Sequence, residues 1–129
     1  MNLPPGTDPS SLTGLRILVV EDMYLIADEL ADQLSGWGCQ VIGPEGRVKG
    51  ALERIDGVEL DGALLDINLD GEKSFEIASV LASRDVPFIF LTGYDRDTAL
   101  PDEFRSAPKL AKPISAHVLA REIGRHFGR

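Results

Sequence analysis

Five side chains in this sequence could act together on one anionic group: Glu21, Asp22, Asp66, Thr92 and Lys112. Each stands at or just past the end of a short apolar run. Glu21 and Asp22 follow Leu15–Val20, Asp66 closes Ala63-Leu64-Leu65, Thr92 follows Pro87–Leu91, and Lys112 follows Lys109-Leu110-Ala111. A carboxylate at the last position of a buried strand is costly unless something cationic meets it. Taken singly, each residue has a plainer reading. Asp66 could merely begin a turn, because Asn68, Asp70 and Gly71 come next; Lys112 could be a solvated surface lysine, and Thr92 a strand-end hydroxyl bonded to backbone. Together they say more. Three carboxylates in one pocket repel one another, so they must share a proton or a cation. Hard oxygen donors with no His or Cys beside them favour Mg²⁺. With the Lys112 ammonium and the Thr92 hydroxyl added, the set suits a doubly charged phosphoryl group held next to Asp66 as nucleophile.

For those side chains to meet, the apolar runs must be neighbouring strands of one sheet. The intervening segments read as helices. Met23, Ile26, Ala27, Leu30 and Leu34 recur at helical spacing, with Asp28, Glu29 and Asp32 on the other side, and Gly36 and Gly38 stop the run. Gln40–Gly43 is a short second strand closed by Pro44. Val48, Ala51, Leu52 and Ile55 mark a second helix that ends at Gly57. Ser74 is placed to cap a third, carrying Phe75, Ala78 and Leu81, and Ser115 a last one, carrying Leu119, Ile123 and Phe127. Between residues 95 and 108, Pro101 and Pro108 leave room for one short helix at most. Strands alternating with helices predict a parallel sheet with right-handed crossovers and helices on both faces. Five such units predict the flavodoxin-like strand order 2-1-3-4-5, with a degenerate fourth helix. Ligands on such folds bind beyond the carboxyl ends of the strands.

The remaining features exclude several classes. At 129 residues the chain fits one domain, expected over 14–129 behind a mobile Pro/Ser-rich tail at 1–13. With 43% hydrophobic and 26% charged residues the composition is ordinary for a globular protein. No apolar run reaches the ~20 residues of a membrane span, and no secretory signal opens the chain, so a cytoplasmic home is expected. A single cysteine, Cys39, excludes an internal disulfide and reads as a small buried hydrophobe. A net charge of −8 without a basic stripe disfavours direct binding to nucleic acid.

The ordered motifs resemble the receiver domains of two-component response regulators over about residues 14 to 127. Val19-Val20-Glu21-Asp22 is similar to the family's acidic pair, and Leu64-Leu65-Asp66-Ile67-Asn68 to its phosphoacceptor strand. Leu91-Thr92-Gly93 is similar to the segment with the switch hydroxyl, and Lys112-Pro113 to the lysine with its proline. The resemblance implies that Asp66 takes a phosphoryl group from the phosphohistidine of a sensor histidine kinase or a histidine phosphotransfer protein. It implies Mg²⁺ bound by Asp22, Asp66 and the backbone carbonyl of Asn68, with Glu21 acting through water. Lys112 would hold one phosphoryl oxygen, Thr92 would swing to another, and the Lys112–Pro113 peptide would be cis. Such a protein catalyses its own phosphorylation and dephosphorylation without being a turnover enzyme, and is expected as a monomer or weak dimer. No output domain is expected past the last helix: the protein acts alone, or is a receiver cut from a longer parent.

Two departures stand out. The family's usual aromatic residue three positions before the lysine is Lys109 here, and a short proline-broken segment replaces the fourth helix. With Phe90-Leu91-Thr92-Gly93-Tyr94, these features resemble the FAT GUY subclass of single-domain receivers. Tyr94 is expected either to substitute for the missing aromatic or to pack as an ordinary loop residue. Asn68 and Tyr94 occupy positions that tune phosphoryl lifetime in the family. A phosphorylation-independent scaffold on the same fold is the alternative function. Other readings fit less well. Asp66-x-Asn68-x-Asp70-Gly71 opens like a calcium loop, but the twelfth position is Ile77 rather than Glu. A dehalogenase-type phosphatase would want Asp, not Asn68, two residues past its nucleophile. A flavin or nucleotide binder would want a phosphate-cradling loop where Glu21-Asp22-Met23 stand.

Overall fold

The structure, a computed structural model, describes Leu3, residues 9–93 and residues 100–128. A helical turn, α1 (Pro9–Leu12), leads into β1 (Arg16–Val20), α2 (Tyr24–Gly36), β2 (Gln40–Glu45), α3 (Val48–Ile55) and β3 (Gly62–Asp66). A small pair, β4 (Asn68–Leu69) and β5 (Glu72–Lys73), then precedes α4 (Phe75–Ser83) and β6 (Phe88–Thr92). A 3-10 turn at Asp102–Phe104, β7 (Lys109–Ala111) and α5 (Ala116–Phe127) complete the chain. The main sheet is parallel, in the order β2-β1-β3-β6-β7. Counting its five strands alone, that is the expected 2-1-3-4-5 arrangement of a flavodoxin-like doubly wound fold.

Side chains alternate across the strands and feed two cores. On one face Ile17 and Val19 of β1, Leu64 of β3 and Ile89 and Leu91 of β6 pack against α2 and α5. On the other, Leu18, Val20, Ala63, Leu65 and Phe90 meet α3 and α4. All five positions of β3 are buried, which accounts for its unbroken apolar run. Gly62 opens that strand because a Cβ there would lie 2.3 Å from the Phe127 ring of α5.

Three local expectations are corrected. The tail expected over 1–13 is anchored at its C-terminal end: Leu12 is fully buried against the α5 core, and its carbonyl accepts the Cys39 thiol at 3.4 Å. One apolar side chain is enough to dock a Pro/Ser-rich stretch whose average composition hides it. Pro44 does not close β2, which runs through a cis Gly43–Pro44 peptide to Glu45 with its register shifted against β1. Ser74 precedes α4, but its hydroxyl makes no capping bond and is buried. Ser115 does cap, accepting from the Val118 N–H at 3.4 Å. Among the described residues, 100–108 hold only the 3-10 turn, as the proline spacing required. No helix of the described residues is long and apolar enough to cross a membrane.

Candidate functional site

The parallel order brings the carboxyl ends of β1, β3, β6 and β7 to one rim. Asp66, last residue of β3, is 6% exposed, and Glu21, one residue past β1, is 2% exposed. Asp22 follows into solvent. Carboxylate oxygens of Glu21, Asp22 and Asp66 all lie within 4.8 Å of one another, so three residues distant in sequence face a common centre. The Lys112 N–H donates to the Thr92 carbonyl at 2.8 Å, fixing the lysine where the chain leaves β7. Its side chain, 13% exposed, reaches across to donate to Asp66 Oδ2 at 3.1 Å and pairs with Glu21 Oε1. The Lys112–Pro113 peptide that follows is cis.

These neighbours set the protonation chemistry. Burial, reinforced by the adjacent Asp66 carboxylate, pushes Glu21 up to about 7 despite the pull of Lys112 in the other direction. Burial also works against the Lys112 charge, but its bonds and attraction to Glu21 and Asp66 more than offset that and hold it above its ordinary value. A fixed cation thus stands beside two nearly buried acids, with a third acid at the mouth. All the donors are hard oxygens, which fits Mg²⁺ rather than a softer metal.

The other expected residues are arranged around this core. Asn68 donates its backbone N–H to Asp66 Oδ1 at 3.4 Å. Thr92, half-buried, donates its hydroxyl to the Leu110 carbonyl at 3.4 Å rather than to Asp66. Tyr94 lies outside the described residues. Lys109, in place of the family's usual aromatic, points its ammonium into backbone, donating to the carbonyls of Arg105 at 2.9 Å and Ala107 at 2.7 Å.

Two features went unseen in the sequence. The loop after Asp66 is a hairpin: Asn68 pairs antiparallel with Lys73, and Asp70 (φ 50°) and Gly71 (φ 92°) form the turn between them. Asp-Gly is a strong signal for such a two-residue turn; the flanking strands, two residues each, are too short to show alternation. The second is an apolar recess of about 550 Å³ beside the site, walled by Met23, Ile26, Leu30, Pro113 and Ile114. Met23, Tyr24 and Leu25 at its rim are 57%, 77% and 79% exposed. Sequence periodicity assigned Met23 to a buried face, which holds from Ile26 onwards but not at the first turn.

An acidic pocket with a bridging lysine at the switch point of a 2-1-3-4-5 sheet defines a doubly wound signalling fold, and the comparisons agree. The solution structure of SdrG from Sphingomonas melonis is 41% identical, with a TM-score of 0.74, over 86% of this chain and 93% of that one. The signal receiver domain of a modulated diguanylate cyclase from Desulfovibrio desulfuricans is 32% identical, with a TM-score of 0.72, over 88% and 94% of the two chains. Among curated proteins, the sensory transduction protein LytT of Bacillus cereus is 30% identical over 87% of this chain. The transcriptional regulatory protein PdtaR of Mycobacterium tuberculosis is 29% identical over 86% of it. The chain spans 47% and 56% of those two relatives, about half their length. No family model matches. The chain belongs to the receiver domains of two-component response regulators.

Proposed function

We propose that this receiver accepts a phosphoryl group on Asp66 from a partner's phosphohistidine and signals through the altered surface. The observation that carries the reading is the Lys112 ammonium, held at once by Asp66 and Glu21 with the Asp22 carboxylate alongside. An Asp66 carboxylate oxygen attacks phosphorus; the new P–O bond forms as the P–N bond breaks, and the imidazole leaves and takes up a proton. Lys112 neutralises charge on the transferring oxygens, and the buried walls exclude water from its contacts. Mg²⁺, held by Asp22, Asp66 and the Asn68 carbonyl, with Glu21 through water, would supply further positive charge for those oxygens. Thr92 leaves the Leu110 carbonyl to bond the modified Asp66. A conformation of SdrG described as BeF₃-activated supports a receiver that responds to a phosphoryl-like group. The exposed Met23, Tyr24 and Leu25 beside the recess suit docking of an apolar face of a kinase or phosphotransfer protein.

Incubation with acetyl phosphate and Mg²⁺ tests this directly. Wild type should gain one phosphoryl group by intact-mass measurement, and Asp66→Asn none. Absence of label in wild type, with acetyl phosphate and with a histidine kinase, would instead favour the phosphorylation-independent scaffold, which the backbone-bound Lys109 already leaves without the usual aromatic reporter.

A further inference from the structure

We infer that Lys73 is a positioning residue that prolongs the life of the phosphoryl group on Asp66 by holding the Asn68 side chain. The inference rests on the phosphoacceptor reading above and goes beyond it to a residue the site's motifs do not include.

The hairpin is what creates the contact. Asp66 and Lys73 are seven positions apart, but the Asp70-Gly71 turn folds β5 back on β4 and sets Lys73 directly opposite Asn68. The Lys73 ammonium donates to Asn68 Oδ1. The acceptor must be the oxygen of that amide, because an ammonium can only donate and the amide nitrogen cannot accept. Asn68 is in turn tied to the site, its own N–H reaching Asp66 Oδ1 at 3.4 Å.

Loss of the phosphoryl group requires water. Its oxygen bonds to phosphorus as the bond from phosphorus to the Asp66 oxygen breaks, the carboxylate leaves, and the water's proton passes to the released phosphate or to solvent. An acceptor beside Asp66 can orient that water by taking a hydrogen bond from it, and the Asn68 carbonyl is such an acceptor two residues away. With Oδ1 committed to Lys73, that service is withdrawn. Lys73 therefore slows hydrolysis through Asn68, touching neither phosphoryl group nor metal.

The experiment labels the full chain with acetyl phosphate and Mg²⁺, removes the excess, and follows decay in wild type, Lys73→Ala, Lys73→Arg, Asn68→Ala and the Lys73→Ala/Asn68→Ala double variant. Decay should quicken about 5-fold in Lys73→Ala, the scale of one exposed charged contact. It should return near wild type in Lys73→Arg, which keeps a donor. In the Asn68→Ala background Lys73→Ala should change nothing. Unchanged decay in Lys73→Ala, or equal acceleration with Asn68 absent, would overturn the inference while leaving Asp66 as phosphoacceptor. Failure of wild type to take label would remove both. A readout independent of phosphorylation is the Asn68 side-chain amide NMR signal of the unmodified protein, which should shift in Lys73→Ala; a static signal would also overturn the contact.

Discussion

At the scale of single residues, the chemistry follows from crowding. Glu21 and Asp66 are almost fully covered and share one ammonium, so two negative charges meet a single compensating positive one. Glu21 carries the consequence, its carboxyl lifted from 4.5 to about 7 by burial and then by Asp66. A carboxyl raised on folding stabilises the native state below its unfolded value and loses that contribution as pH climbs through the folded one. The metal-free protein should therefore lose stability between pH 4.5 and pH 7.5, the window those two values set. Urea titrations across that range should show the decline, and Glu21→Gln, which imitates the protonated form, should flatten it. Lys112 is the complementary case. Replacing it with Met leaves the acids without their cation and removes the donor to the phosphoryl oxygens. Phosphoryl uptake should fall by about 10²–10³, as when a preorganised charge-stabilising donor is deleted from an active site. A rate within threefold of wild type would mean that another group stabilises the transferring charge.

At the scale of elements, legibility tracked how much each segment owes to its own pattern. The β1, β3 and β6 strands are apolar because both their faces are covered, so their runs and the carboxyl ends beyond them could be read directly. From those ends came the placement of Glu21, Asp66 and Thr92 on one rim. Elements fixed by one distant contact were not legible. Leu12 carries the α1 anchor: it is fully buried against the α5 core, and the glycine at 124 keeps α5 open there, since a Cβ would sit 3.3 Å from Ser11 Oγ. Leu12→Ala should accordingly cost about 2–5 kcal/mol in urea denaturation, a core penalty rather than a tail one. A change under 0.5 kcal/mol, the usual size at a surface position, would restore the mobile-tail reading. The 3-10 turn was foreseeable from its prolines, but its fastening was not. Phe104 is 4% exposed and packs with Phe75, Phe88 and Phe90 at centroid distances of 6.1, 5.8 and 5.8 Å. Nothing in the local spacing of residues 100–108 signals a partner ring on three other elements.

At the scale of the whole molecule, the site and the fold are thermodynamically one object. The three acids belong to the ends of two strands and the residue after them, so they converge only when the sheet has formed. An ion that bridges them binds the native state and scarcely the unfolded chain, and must raise stability by mass action. At about 100 times its dissociation constant, Mg²⁺ should add about 2.7 kcal/mol, a few degrees in melting temperature for a domain of this size. The gain should depend on pH. Below pH 7 the Glu21 proton reduces the negative charge facing the ion, so the Mg²⁺ increment should grow from pH 6 to pH 8, opposite in sign to the metal-free trend. Asp22 provides the control, being exposed and outside the pairing with Lys112. Asp22→Asn should leave the metal-free melting temperature close to that of wild type and abolish most of the Mg²⁺ increment. Equal stabilisation of wild type and Asp22→Asn would show that the ion acts by screening the net charge of −8 rather than by occupying the acidic centre. Repeating the melts in 150 mM NaCl separates the two, since screening saturates at about that ionic strength and site binding does not.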